Sequence, residues 1–167
     1  MSVLASETHI VQNPALGCVL LWRFAAGFTR AHKTEASPVL QLAFIVLPTI
    51  YHQETCELLQ KTQYQSGLNG FVDKFTRSDV AKSDLLLAIH NRAIALRSLT
   101  LDSLRVGVRH HLLAISASTG TFIPLSNSPP SAVAVSARPL LKAAEKLGAW
   151  CAPLTLFEIT SALKVAF

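Results

Sequence analysis

Charged residues are scarce in this sequence of 167 residues. They make up 15% of it, and hydrophobic residues make up 50%, whereas about 25% charged residues is usual for a soluble domain. A domain with so few charges exposes large apolar patches, and such patches usually mark partner-binding surfaces. We therefore expect a subunit of a complex. An ordinary helical protein rich in Ala and Leu is the alternative.

Catalytic and metal-binding motifs are also missing. The sequence contains no P-loop, GxSxG, HExxH or Rossmann fingerprint. His110 and His111 are adjacent, so on a helix they point about 100° apart and cannot form a ligand pair at i,i+4 spacing. Three cysteines, Cys18, Cys56 and Cys151, form no CxxC motif and no Cys/His cluster. We therefore expect no enzymatic activity, no metal and no cofactor.

The cysteines, the first residues and the apolar segments of the sequence all favour a cytoplasmic location. Cys18 and Cys151 lie in apolar helical runs, which is typical of buried thiols in a reducing compartment. The stretch MSVLASETH lacks the basic and apolar regions of a signal peptide. Arg23 interrupts the most apolar helical segment, and a membrane span needs roughly 20 apolar residues. The sequence thus predicts a cytoplasmic protein that does not contact a membrane.

One helix, over residues 13–30, is expected to organise the fold. Asn13 is a good N-cap, and Pro14 suits the first helical turn. Apolar residues recur at spacings of three and four from Leu16 to Phe28, and others widen this face until little polar surface is left. A helix that is apolar nearly all round is buried on several sides. We therefore predict a central core helix.

The next segments predict shorter helices. The apolar run 39–50 fits a buried helix or a buried strand, and we favour a helix that ends near Leu47 because Pro48 would break it. Residues 49–61 predict an amphipathic helix with Glu57 and Lys61 at i,i+4 spacing. Ser66 is expected to cap the helix that follows.

The sequence of residues 83–125 predicts two helices followed by a hairpin. An amphipathic helix covers 83–97, and a second helix starts at Thr100 with Asp102 near its positive end. Strands over 112–117 and 121–125 flank a turn that ends in Gly120. This order is that of a winged helix, in which the second helix often enters the major groove of DNA. Such folds also serve as protein-contact modules.

The remaining segments complete a mainly α-helical fold with a small β-hairpin. A helix is expected over 133–150, and Thr155 with Glu158 forms a capping box for a last helix. We expect one domain over residues 1–167, divided into a lead-in at 1–12, a helical core at 13–78, a winged-helix-like unit at 83–125 and C-terminal helices at 133–165.

Seven residues are candidates for contact with nucleic acid or with an acidic partner. The net charge is +5, and basic residues recur along the winged-helix-like unit. They could contact phosphates, or they could form a solvated face that pairs with acidic residues of a partner. The candidates are Lys82, Arg92, Arg97, Arg105, Arg109, His110 and His111.

The order of four segments resembles a known family. They are NPALGCVLLWRF, the run ending in LPTIYHQETCELL, SGLNGFVDKF, and AEKLGAWCAPLTLFEITSALKV. In this order they resemble the middle component of bacterial three-component ABC systems, and the Lamassu anti-phage and anti-plasmid systems look like relatives. The resemblance implies a non-catalytic adaptor that bridges an SMC-like or Rad50-like ABC ATPase and a nuclease-like effector, and it carries over no catalytic residues.

Three classes of function remain open at this point. The first is the adaptor of an ABC-ATPase defence complex, with or without direct contact to double-stranded DNA. The second is a winged-helix DNA-binding transcriptional regulator, for which Arg105 and Arg109 would contact DNA. The third, a small enzyme, is disfavoured because no catalytic constellation is present.

Overall fold

The computed structural model of the chain describes residues 13–77, 80–128 and 131–167, and for residues 80–82 only the backbone. The lead-in expected at residues 1–12 lies outside this part. The described helices are α1 (Pro14–Ala31), α2 (Ala43–Ile50), α3 (Gln53–Lys61), α4 (Gly67–Thr76), α5 (Val80–Ala95), α6 (Arg97–Arg109), α7 (Arg138–Cys151) and α8 (Leu156–Leu163). The described strands are β1 (Leu113–Ser116) and β2 (Thr121–Pro124), which form an antiparallel pair. The expected fold class, mainly α-helical with a small β-hairpin, is confirmed.

Helix α1 is the central helix, as its apolar pattern predicts. It is buried from Gly17 to Phe28 apart from Val19, and it packs most extensively against α7 and then α6. The Asn13 side chain accepts a hydrogen bond of 2.9 Å from the Ala15 N–H, which confirms the predicted N-cap. All the other described helices and both strands add side chains to one apolar cluster around α1.

Helix α2 continues through Pro48, so the expected end near Leu47 is wrong. The Tyr51 N–H donates to the Leu47 carbonyl at 2.9 Å, which extends the helical hydrogen bonding beyond the proline. The Thr49 hydroxyl donates to the Ile45 carbonyl at 2.7 Å. Nearly every residue of α2 is buried. Burial of this apolar turn therefore outweighs the local cost of an interior proline.

Helices α5 and α6 are separated by Leu96 alone, whereas the sequence predicts a first helix that ends at Arg97 and a second that starts at Thr100. The Leu96 N–H donates to the Arg92 carbonyl, and the Thr100 N–H donates to the Leu96 carbonyl, both at 2.9 Å. Helical bonding therefore continues on both sides of Leu96. Because α6 begins three residues before Thr100, Asp102 is not at its positive end and pairs with Arg105 at 2.8 Å instead.

The predicted hairpin is present, with slightly shorter strands. Gly120 has a φ of 63°, a conformation that favours glycine, and it closes the turn. The hairpin also pairs with the segment before α2. Val39 bridges Thr121, and the Leu40 N–H donates to the Gly120 carbonyl at 2.8 Å. The helix, helix, hairpin order that suggests a winged helix is therefore observed. Its use in DNA binding stays a prediction.

The C-terminal helices differ from the sequence-based prediction mainly at the start of α7. Helix α7 begins at Arg138, after a 3₁₀ turn over Val135–Ala137. The capping box of α8 is confirmed, since the Thr155 hydroxyl accepts from the Glu158 N–H and the Glu158 carboxylate accepts from the Thr155 N–H.

Ser66 holds the N-cap position of α4, but its side chain makes no capping hydrogen bond.

The two tryptophans and three cysteines lie in the core, and for Cys18 and Cys151 the sequence predicts this. The Trp22 indole N–H donates to the Ser126 carbonyl at 2.6 Å, and that of Trp150 donates to the Tyr64 carbonyl at 2.7 Å. The cysteines are buried and form no disulfide. Burial raises the pKa of Cys18 to about 11, so the thiol stays protonated near neutral pH.

Candidate functional site

The structure separates the basic residues that the sequence groups together. The Lys82 side chain lies outside the described part of the chain. Arg92 is half-buried, and its guanidinium donates to the Pro48 and Leu85 carbonyls and to the Thr55 hydroxyl at 3.2 to 3.3 Å. Burial lowers the pKa of Arg92. The Arg92 guanidinium therefore holds helices α2, α3 and α5 together.

Replacement of Arg92 by alanine will therefore reduce stability. Hydrogen bonds made by a charged group contribute about 1.5–3 kcal/mol each, and part of this returns as hydration of the groups left behind. We expect the free energy of unfolding to fall by about 2 kcal/mol in urea denaturation. Arg105→Ala is the matched control and should change stability little, because its pair with Asp102 is exposed. Equal stabilities of the two variants would contradict this role of Arg92.

The other basic candidates lie on or just after α6. Arg97, Arg105 and Arg109 are exposed, and spacings of four and eight residues bring them to the same side of the helix. Leu101 and Val108 are exposed beside them. His110 and His111 follow the helix and are also exposed.

Helix α5 also exposes apolar side chains. Leu87 is 54% exposed and Ile94 is 62% exposed, and their spacing of seven residues puts them on one helical face. Ile94 also lines a groove of about 280 Å³, together with Phe44, Arg97 and Phe167. We refer to the exposed side chains of the two helices together as the α5–α6 face, which comprises Leu87, Ile94, Arg97, Leu101, Arg105, Val108 and Arg109.

A second surface feature, which the sequence did not predict, lies between α1 and α7. This α1–α7 cleft has a volume of about 510 Å³. Its floor is the contact of the two helix backbones, where Gly148 approaches the Phe24 carbonyl and Gly27 approaches the Glu145 carbonyl. The lining residues are Gly27, Arg30, Ala31, Tyr64, Lys142, Glu145, Lys146 and Ala149.

An ion-pair cluster holds one wall of the cleft. Glu145 pairs with Arg23 at 2.5 Å and with Arg30 at 2.6 Å. Burial alone would raise the pKa of Glu145, but hydrogen bonds and charges from the two arginines outweigh burial and hold the pKa below 4.5. Because two cations share one carboxylate, the cluster keeps a positive charge.

Two lysines add to this positive charge. Lys142 is exposed and makes no ion pair with any residue that the structure describes. Lys146 donates to the Thr62 carbonyl at 2.7 Å and lies over the Trp150 ring. Burial lowers the pKa of Lys146, and the charge of Lys74 lowers it further.

Tyr64 stands at the edge of the cleft and is 57% exposed. The bonds from Lys146 to the Thr62 carbonyl and from Trp150 to the Tyr64 carbonyl fix the backbone that carries it. The sequence signal for this cleft was weak. It consisted of two arginines in an otherwise apolar helix, and these residues meet α7 only in the folded chain.

The comparisons with known proteins identify the family. A family model described as ABC-three component (ABC-3C) system Middle Component 3 matches residues 1–167. The chain belongs to this family. No curated protein and no solved structure matches it. The resemblance to a middle component that the sequence segments indicate is thus confirmed.

Membership places this middle component in a system with several protein components, so it has protein partners. A middle component is in general an accessory subunit. Within the described ranges, no helix is long and apolar enough to cross a membrane. In the same ranges no cluster of three or more His, Cys, Asp or Glu side chains could hold a metal ion.

Proposed function

We propose that this middle component is a non-catalytic adaptor that docks on the ABC ATPase of its system through the α5–α6 face. The observation that carries the proposal is the combination of exposed apolar and basic side chains on this face. The ATPase is proposed to be of the SMC or Rad50 type, and the adaptor to link it to a nuclease-like effector. The setting is a cytoplasmic defence complex similar to Lamassu systems, which acts on double-stranded DNA.

The chemistry of the α5–α6 face favours a helical partner with acidic flanks. Leu87 and Ile94 present an apolar line along α5, and Leu101 and Val108 present another along α6. An amphipathic helix binds such a surface through its own apolar side chains. Arg97, Arg105 and Arg109 lie beside the apolar residues, so acidic residues on the partner would complement them.

The experiment is capture of the ATPase by tagged variants of the full chain. The double variant Ile94→Asp, Leu101→Asp places two carboxylates in the apolar part of the face. Truncating a central interface side chain commonly costs more than about 1 kcal/mol, and burying a charge costs more. We expect affinity for the ATPase to fall at least about tenfold for each substitution, measured by quantitative pull-down.

Val135→Asp is the matched control, because Val135 is 73% exposed and lies in the 3₁₀ turn before α7, which is not part of this face. It should leave capture unchanged. Undiminished capture by the double variant would remove the α5–α6 face from the interface. Failure of the unaltered chain to bind the ATPase would reject the adaptor role itself.

A second candidate function is a DNA-binding regulator of the winged-helix type. It is supported by the hairpin that follows α6 and by the pairing of that hairpin with the segment at Val39. In this case Arg105 and Arg109 would contact a DNA duplex. Affinity for duplex DNA should then fall with Arg105→Ala and Arg109→Ala, and unchanged affinity would exclude α6 from a DNA site.

A further inference from the structure

The α1–α7 cleft carries charge that the protein does not neutralise. Arg23 and Arg30 share the single carboxylate of Glu145. Lys142 and Lys146 line the cleft with Arg30 and add two more cations. A concave surface with an excess of positive charge attracts anions more strongly than a flat one. The charge of the cleft therefore favours an anion.

The position of Tyr64 narrows the class of anion. Tyr64 lines the cleft beside the lysines, and the residue is more than half exposed. Carboxylates gain nothing from a flat aromatic surface, whereas a nucleic-acid base stacks on one. Cations that follow the backbone, with an aromatic ring for the bases, are the combination by which proteins bind single strands.

The cleft is also pre-formed. Lys146 and Trp150 hold the backbone from Thr62 to Tyr64 against α7. The Glu145 carboxylate holds Arg30 in place at 2.6 Å. A site whose groups are already fixed loses little conformational entropy on binding. A base that is paired in a duplex cannot stack on Tyr64, because both of its faces are covered by neighbouring bases.

We propose that the α1–α7 cleft binds a single-stranded segment of nucleic acid. Arg30 and Lys142 contact its phosphates, and the Tyr64 ring stacks on one base. Lys146 supports the site electrostatically, since its ammonium already donates to backbone carbonyls. This site does not depend on the α5–α6 face and adds a ligand to the adaptor role.

The test is a fluorescence anisotropy titration of the full chain with a labelled oligothymidylate. The same oligonucleotide annealed to its complement and a polyglutamate of similar charge serve as competitors. We expect the single strand to bind, with an affinity that falls as salt rises. Lys142→Gln should weaken binding severalfold and reduce the slope of log affinity against log salt by about 0.7.

Tyr64→Ala should weaken binding about tenfold, and Tyr64→Phe should retain it, because the stacking surface is the ring. Lys164→Gln and Phe157→Ala are matched controls, since both residues are exposed on or just after α8. They should leave affinity unchanged. These substitutions are on the surface, so each variant should unfold at the same urea concentration as the unaltered chain.

Three results would overturn the proposal. The first is that Tyr64→Ala binds the oligonucleotide as tightly as the unaltered chain does. The second is that the chain prefers the duplex to the single strand. The third is that it prefers polyglutamate, which would assign the cleft to an acidic protein segment. The adaptor role is tested separately, because Ile94→Asp, Leu101→Asp should abolish ATPase capture and leave oligonucleotide binding intact. Lys142→Gln should leave ATPase capture intact and weaken oligonucleotide binding severalfold.

Discussion

Gly148→Val will destabilise the chain by about 3 kcal/mol or more. A Cβ on Gly148 would overlap the carbonyl oxygen of Phe24, which belongs to the backbone of α1. A side chain could rotate away, but a backbone carbonyl that is bonded within a helix cannot. The two helices would have to separate, and this would open the largest helix contact in the core.

The matched control is Ala149→Val, one residue further along α7. Valine at this position lowers helix propensity as much as valine at 148, because it is β-branched in both places. Ala149, however, is half-exposed. We expect its free energy of unfolding to change by less than about 1 kcal/mol. Urea denaturation of both variants measures the difference. If both unfold at the same urea concentration, α1 and α7 are not in backbone contact.

The second large effect is expected for Glu145→Ala. This substitution leaves the Arg23 guanidinium, whose side chain is 6% exposed, without its carboxylate. Breaking a buried pair by removing one partner costs about 3–5 kcal/mol. We expect a loss of about 3 kcal/mol in urea denaturation, near the lower limit because Glu145 itself is 28% exposed.

Arg30→Ala is the control for Glu145→Ala. It removes the other partner of Glu145. Because the Arg30 side chain is 53% exposed, the free energy of unfolding should fall by at most about 1 kcal/mol. If the two variants lose equal stability, the burial of Arg23 does not explain the loss in Glu145→Ala.

The same carboxylate makes stability depend on pH. The pKa of Glu145 is lower in the folded chain than its ordinary value of 4.5. Its contribution to stability is therefore complete above pH 4.5 and is lost as the pH falls through the folded pKa. Glu145→Gln should flatten this part of the stability curve, which denaturation at a series of acidic pH values will show. If stability falls at acidic pH in Glu145→Gln as it does in the unaltered chain, other carboxylates cause that fall.

Much of the fold follows from patterns within short segments. The apolar repeat of α1, the Asn13 cap, the capping box at Thr155 and the turn at Gly120 each depend on neighbours a few residues away. The resemblance to a middle component came from residue segments in order, and the family match confirms it. Local patterns were less reliable at boundaries, and α5, α6 and α7 begin at other residues than expected.

The candidate sites were harder to derive from the sequence. Basic residues between 82 and 111 are close in sequence, so they suggested one basic face. In the structure Arg92 turns inward to the Pro48 carbonyl, whereas Arg105 and Arg109 stay on the surface. A helical residue's direction is set by its position in the turn and by what packs against it, and only the first of these can be read from sequence.

The sequence by itself determined the helical class, the central position of α1, the hairpin and the family, because these depend on spacing and order along the chain. Only the tertiary structure decided that α2 passes through Pro48, that Arg23 is buried against Glu145, and that Arg30, Tyr64 and Lys142 line one cleft. These three features join residues that are distant in sequence or depend on burial. Their free energy comes from contacts that exist only after the helices pack together.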